Sequence, residues 1–146
     1  ILHRLVGSEM CIRDSYWVCP LIESNEDLDA MATQELKEEL KKKLTQCNIA
    51  ELNGKMSSHE KKQVMLDFQL GATDILICTT IIEVGVDVPN ASNIVIENSE
   101  RFGLAQLHQL RGRVGRGTKP SRCFLTFKPG LNQETTQCYE RKPRWF

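Results

Sequence analysis

No apolar run in the sequence approaches the roughly 18 residues that a membrane-spanning helix needs. Charged residues are spread throughout, which argues against a helical membrane span. Paired cysteines are also missing. The six stand at positions 11, 19, 47, 78, 123 and 138, with no C-x-x-C and no regular spacing, so neither a disulfide scaffold nor a metal knuckle is expected. Cys19 and Cys78 fall within apolar runs, where a thiol acts as a small hydrophobe, and reduced cytoplasmic cysteines are the natural reading. Residues Ile1–Ser15 carry Arg4, Glu9, Arg13 and Asp14 and lack the sustained apolar core of a secretory signal. Two phosphate-handling elements are absent as well. There is no G-x-x-x-x-G-K-[ST] loop to cradle phosphates with backbone amides and a lysine. No Asp-Glu pair follows a strand to hold Mg²⁺ and water.

Net charge is zero, but its distribution is not even. Residues 1–100 hold 9 Lys/Arg against 17 Asp/Glu, a balance of −8; residues 101–146 hold 10 against 2, a balance of +8. A basic C-terminal third suits either the phosphates of nucleic acid or nucleotide, or a merely solvated basic face. With 146 residues, 40% hydrophobic and 26% charged, the chain has the size and composition of one globular domain.

Apolar runs alternate with amphipathic stretches. Tyr16–Ile22 reads as a buried strand. Asp27–Thr45 carries Leu28, Met31, Leu36, Leu40 and Leu44 at helical spacings, with Ser24 or Asn25 placed to cap it. Ile49–Leu52 is a short strand closed by Asn53-Gly54, a turn pair. Ser57-Ser58-His59-Glu60 has the form of a capping box; it opens a helix with Val64, Met65 and Phe68 inward, ended by Gly71. Ile75–Cys78 and Ile94–Ile96 are further strands, Leu104–Leu110 a short helix and Cys123–Phe127 a last strand. Strands that are apolar throughout, separated by helices, indicate an α/β domain whose mostly parallel sheet has helices on both faces.

Two segments carry chemistry. Cys78–Pro89 (CTTIIEVGVDVP) follows a strand and so begins at its carboxyl end, where α/β sheets place ligands. The Thr79 and Thr80 hydroxyls can bond phosphate oxygens, Gly85 permits close backbone approach, and Glu83 and Asp87 sit among aliphatics, which is costly without partners. A purely structural alternative has Thr79 and Asp87 capping turns. Gln106–Gly117 (QLHQLRGRVGRG) interleaves Arg111, Arg113 and Arg116 with Gly112, Gly115 and Gly117. An arginine fork suits phosphate oxygens, and the glycines let the backbone come close. The run is too short for a disordered Arg-Gly tail and is framed by a helix and a strand.

Together these segments resemble motifs V and VI of superfamily 2 helicases, and the wording is most similar to the RecG-type ATP-dependent DNA helicases. YWVCPLIES (16–24), LNGKM (52–56), TTIIEVGVDVPNAS (79–92) and IENSERFGLAQLHQLRGRVGRG (96–117) carry the resemblance, which covers residues 16–137. DEAD-box RNA helicases differ at both motifs. The transcription-repair coupling translocase shares FGLAQLHQLRGRVGR, but its counterpart of residues 83–89 more often reads ETGIDIP. The resemblance implies a RecA-like helicase C-terminal lobe. Gln109, Arg113 and Arg116 would then face ATP across a cleft, with Arg116 as arginine finger, and Gly85 and Asp87 would line the nucleotide side. Thr79, Thr80, Asn53 and Gly54 would lie toward the DNA backbone. Asn53 stands where the family usually has histidine; an amide still donates hydrogen bonds. ATP and Mg²⁺ would be held mainly by a first motor lobe that this sequence lacks, as it lacks the wedge domain. The chain alone is therefore expected to be inactive. A free-standing, non-catalytic DNA-binding module is the other reading, with salt-sensitive, nucleotide-independent binding.

Both ends depart from the family. Residues 1–15 match nothing upstream of YWVCPLIE, and LVGSEMCIRDS resembles translated sequencing-adapter sequence. For residues 138–146, one permitted set of codons, read one base later, gives a stretch similar to the family's continuation, so a frameshift near Gln137 is expected. The organisation expected is thus a foreign segment at 1–15, the lobe at 16–137 and a shifted tail at 138–146. Without that tail, residues 101–137 still hold 7 Lys/Arg against 1 Asp/Glu, so the basic region does not depend on it.

Overall fold

The computed structural model describes residues 14–20, 26–79, 91–115, 117–118, 120–127 and 136–141, with Glu26 and residues 136–141 described by backbone alone. Five parallel strands form the sheet: β1 (Ser15–Val18), β2 (Ile49–Leu52), β3 (Ile75–Cys78), β4 (Asn93–Ile96) and β5 (Ser121–Thr126). A sixth, β6 (Thr136–Arg141), runs antiparallel to β5, and the order is β2-β3-β1-β4-β5-β6. The helices are α1 (Glu26–Lys43), α2 (Ser58–Gln69) and α3 (Leu104–Arg111), with a 3₁₀ turn at Ser99–Arg101.

Each central strand is buried on both sides, which is why it reads as a continuous apolar run. Tyr16, Val18, Leu76, Cys78, Ile94 and Ile96 pack on one face with Met65 and Phe68 of α2, Leu110 of α3 and Val114. The Tyr16 and Phe68 rings meet edge-on, centroids 4.9 Å apart. Trp17, Cys19, Ile75, Ile77, Val95 and Phe124 face the other way, onto Leu40 of α1 and Leu44 just beyond it. Helices therefore cover both faces, as the sequence pattern implied.

The capping box of α2 forms as expected: Glu60 N donates to Ser57 Oγ (3.2 Å) and Ser57 N to Glu60 Oε2 (2.7 Å). Hydrogen bonding from the Ser57 backbone N–H, and then from the Ser57 side chain, holds the Glu60 carboxyl below its usual range. Gly71 closes the helix at φ +79°, a left-handed position that glycine takes without strain.

Three expectations need correction. β1 ends at Val18 rather than Ile22: Cys19 N still bonds Cys78 O (2.9 Å), but Pro20 has no N–H to continue the ladder; Leu21 and Ile22 lie outside the described residues, as do the proposed α1 caps, Ser24 and Asn25. β5 starts two residues before Cys123 and ends before Phe127. On α1, Leu28 and Met31 are exposed (42% and 56%), while Asp29 and Thr33 are buried. The inward stripe is Asp29, Thr33, Leu36, Leu40 and Leu44. Thr33 is satisfied locally, its Oγ1 donating to Ala30 O at 3.0 Å.

The terminal segments pair through main-chain atoms. Ser15 belongs to β1, opposite Ile75 and Asn93. Residues 136–141 pair with β5. Such ladders use backbone groups that every residue but proline carries, so pairing is indifferent to whether these side chains are native.

Candidate functional site

The candidate residues divide between the two edges of the sheet. At the carboxyl edge, Leu52 of β2 is in register with Cys78 of β3. Asn53 and Thr79, the next residues, are therefore neighbours at about the 5 Å strand spacing. Both are buried. Asn53 Oδ1 accepts from Lys55 N at 3.1 Å, an Asx turn, which leaves the amide NH₂ as its donating end. Asparagine in place of histidine thus has a local structural use. Lys55 is ion-paired with Asp27, tying this loop to the start of α1. Thr79 Oγ1 is buried with no hydrogen-bond partner among the described residues. An unpaired buried hydroxyl costs about 1–3 kcal/mol, so the geometry suits an incoming acceptor such as a phosphate oxygen. Gly54 sits in the turn beside them.

The arginine–glycine turn lies at the opposite edge. α3 follows β4, so it starts at the carboxyl edge and returns the chain to the amino end of β5, as a parallel crossover must. Its last turn is anchored by Leu110 and Val114, both in the core. Gly112 N bonds His108 O (3.0 Å), Arg113 N bonds Leu110 O (3.1 Å) and Gly115 N bonds Ala91 O (3.4 Å). Ala91 stands two residues before β4, so this turn lies at the amino edge of the sheet. Asn53 and Thr79 thus stand at the carboxyl edge, and Arg113 stands near the amino edge. A four-residue strand separates the two edges, roughly 13 Å.

The glycines are not equivalent. Gly115 has φ +80°, and a Cβ there would stand 2.3 Å from Ser121 Oγ and 2.8 Å from Ser121 Cβ. Gly112 is right-handed (φ −69°, ψ −10°) and its Cβ would make only marginal 3.4 Å contacts. Arg113 is half-buried between these anchors, and Gln109 is exposed on α3. Thr80, Gly85, Asp87 and Arg116 lie outside the described residues. Among the described residues no cluster of His, Cys, Asp or Glu could hold a metal ion, and no helix is long and apolar enough to cross a membrane.

Sequence reading did not anticipate a buried pair at the carboxyl edge. Trp17 Nε1 donates to Glu97 Oε1 at 2.8 Å, joining β1 to the end of β4. The only signal was an acidic residue directly after an apolar strand. Burial pushes the Glu97 carboxyl up, the Trp17 bond opposes this, and Glu39 adds to the rise. Burial, then Glu97 and Asp29, raises the Cys19 thiol, and burial does the same to Cys78. Both are free thiols with little thiolate character. Because the folded Glu97 binds its proton more tightly than the unfolded one, its contribution favours folding at low pH. That contribution is lost as pH rises from the ordinary carboxyl range through the raised folded value. A Glu97→Gln variant keeps an acceptor for Trp17, so its melting temperature should gain on the parent over that window and level off above it. A difference independent of pH would contradict the buried charge.

Comparison with known proteins places these features in context. Residues 16–118 match the family model described as the helicase conserved C-terminal domain. The chain is 53% identical over 121 residues to the ATP-dependent DNA helicase RecG of Haemophilus influenzae, covering 83% of this chain and 18% of that protein. It is 54% identical, with the same coverage, to RecG of Escherichia coli K12, and 51% identical over 112 residues to that of Thermotoga maritima. The chain spans about 18% of the length of the curated relatives it matches first. Among solved structures, a RecG bound to a three-way DNA junction matches with a TM-score of 0.58 at 44% identity, over 77% of this chain and 14% of that one. The C-terminal domain of the DEAD-box protein Dbp5 matches with a TM-score of 0.56 at 20% identity, over 88% and 68%, which concerns the fold alone.

Proposed function

The chain belongs to the helicase conserved C-terminal domain family, as a RecG-type RecA-like lobe, and from that premise we propose that it is the second motor lobe of an ATP-dependent enzyme remodelling DNA forks and branched junctions. What supports this most directly is the division of its polar residues. Asn53 and Thr79 end adjacent strands at one edge, the arginine turn stands at the other, and the stretch between Thr79 and Ala91 joins them.

In this reading Gln109, Arg113 and Arg116 approach the nucleotide from across a cleft, with Gly85 and Asp87 beside it. Arg113 and Arg116 are cations and Gln109 an amide donor, suited to the outer phosphate oxygens. ATP supplies the driving free energy when bound, and Mg²⁺ belongs mainly to the first lobe. Thr79, Thr80, Asn53 and Gly54 bond the DNA backbone, which positions the strand without reading bases. Because Asn53, Thr79 and the turn that carries Arg113 sit on one packed sheet, closing the lobes moves the DNA edge together with the arginine edge. Repeated closure then advances the strand. The setting is the bacterial cytoplasm, with DNA, the first lobe and the wedge domain as partners. Relatives at 51–54% identity that carry the RecG name favour this over the transcription-repair coupling translocase.

The test is ATP turnover by the intact protein with three-way junction DNA, linear duplex or no DNA. Turnover should rise most with the junction, and the 146-residue chain alone should hydrolyse none. DNA-stimulated hydrolysis by that chain, or an intact protein indifferent to DNA, would contradict the proposal. Salt-sensitive DNA binding that ignores nucleotide in the intact protein would favour the non-catalytic module instead.

A further inference from the structure

We propose that Arg101 is an additional DNA-backbone contact, carrying the strand from the Asn53–Thr79 pair across the carboxyl edge of the sheet to β4. The inference rests on that edge being the DNA track.

β4 is the second neighbour of β3, with β1 between them, so the ends of the two strands stand about 10 Å apart. An arginine side chain at the end of β4 can reach a phosphate neighbouring the one offered to Thr79. The turn that carries Arg101 is clamped at both ends. Asn98 takes a left-handed conformation (φ 48°, ψ 53°), and its N–H donates to Thr126 Oγ1 at 3.2 Å. Ser99, buried, donates from Oγ to Thr126 O at 3.0 Å. Arg101 N bonds Asn98 O (2.9 Å) and Phe102 N bonds Ser99 O (3.1 Å), while Phe102 packs against the core.

Between these anchors the Arg101 side chain is exposed and has no ion pair among the described residues. The nearby Glu97 carboxyl is already engaged by Trp17. Arg101 is also the first residue of the basic third of the chain. A left-handed asparagine and two bonds to β5 are more than a solvated surface arginine needs. Holding the backbone in advance reduces the ordering cost when a guanidinium meets a phosphate.

The experiment measures affinity of the intact protein for a fluorescent three-way DNA junction across a salt series, for Arg101→Ala, Arg101→Lys and Asn53→Ala. Arg101→Ala should weaken binding several-fold at low salt and lower the slope of log affinity against log salt by about 0.7–0.9, one phosphate's worth. Arg101→Lys, which keeps the charge, should keep the slope. Unchanged affinity for Arg101→Ala, or weakened affinity with an unchanged slope, overturns the proposal. If Asn53→Ala weakens binding and Arg101→Ala does not, only this inference fails. If neither weakens it, the DNA-track reading falls with it.

Discussion

Arg116→Ala in the intact two-lobe enzyme is expected to lower DNA-stimulated ATP turnover by about 10³–10⁵-fold, the range for removing an arginine that neutralises charge developing in phosphoryl transfer. DNA affinity should fall far less. Gly115, the residue before Arg116, has its backbone held against Ala91 at a left-handed φ. Arg116→Lys keeps the charge without the planar fork and should recover only part of the loss. The measurement is kcat and DNA affinity side by side. Parallel loss of both would mean that Arg116 holds DNA or the fold, not the reacting phosphate.

Gly115→Ala should be the most destructive substitution that leaves every polar group in place. A left-handed alanine costs roughly 1–2 kcal/mol, and forcing a methyl into occupied space costs typically another 1–3. The sum is a large share of a domain's usual 5–15 kcal/mol. Ser121 is the obstacle, at 2.3 Å from Oγ and 2.8 Å from Cβ, so adding Ser121→Gly should return the overlap part and leave the conformational part. Gly112→Ala is the internal control. Its right-handed backbone accommodates alanine, and a neutral to slightly stabilising change is expected. Thermal melting of the three variants in the intact protein decides the matter. Equal destabilisation by Gly112→Ala and Gly115→Ala would show that the turn geometry is wrong.

Two elements show where sequence reading stops. The α1 heptad-like leucines were legible, yet Leu28 and Met31 point to solvent while Asp29 and Thr33 are buried. Helical periodicity offers two faces a third of a turn apart near the N-terminus, and only the sheet beneath selects one. The arginine–glycine run was equally legible as a segment framed by a helix and a strand, but its place at the amino edge follows from α3 running back along the sheet. That direction follows once β4 and β5 pair in parallel, and their pairing joins segments distant along the chain.

The order of apolar and amphipathic segments and the capping box at Ser57 were determined by the sequence itself. Local backbone preference, burial and charge act on neighbours along the chain, so they can be read there. The pairing of Asn53 with Thr79 on neighbouring strands was decided only in three dimensions, as were the Ser121 contact at Gly115 and the Trp17–Glu97 bond. Each joins residues distant along the chain, and their proximity arises only when parallel strands align in register.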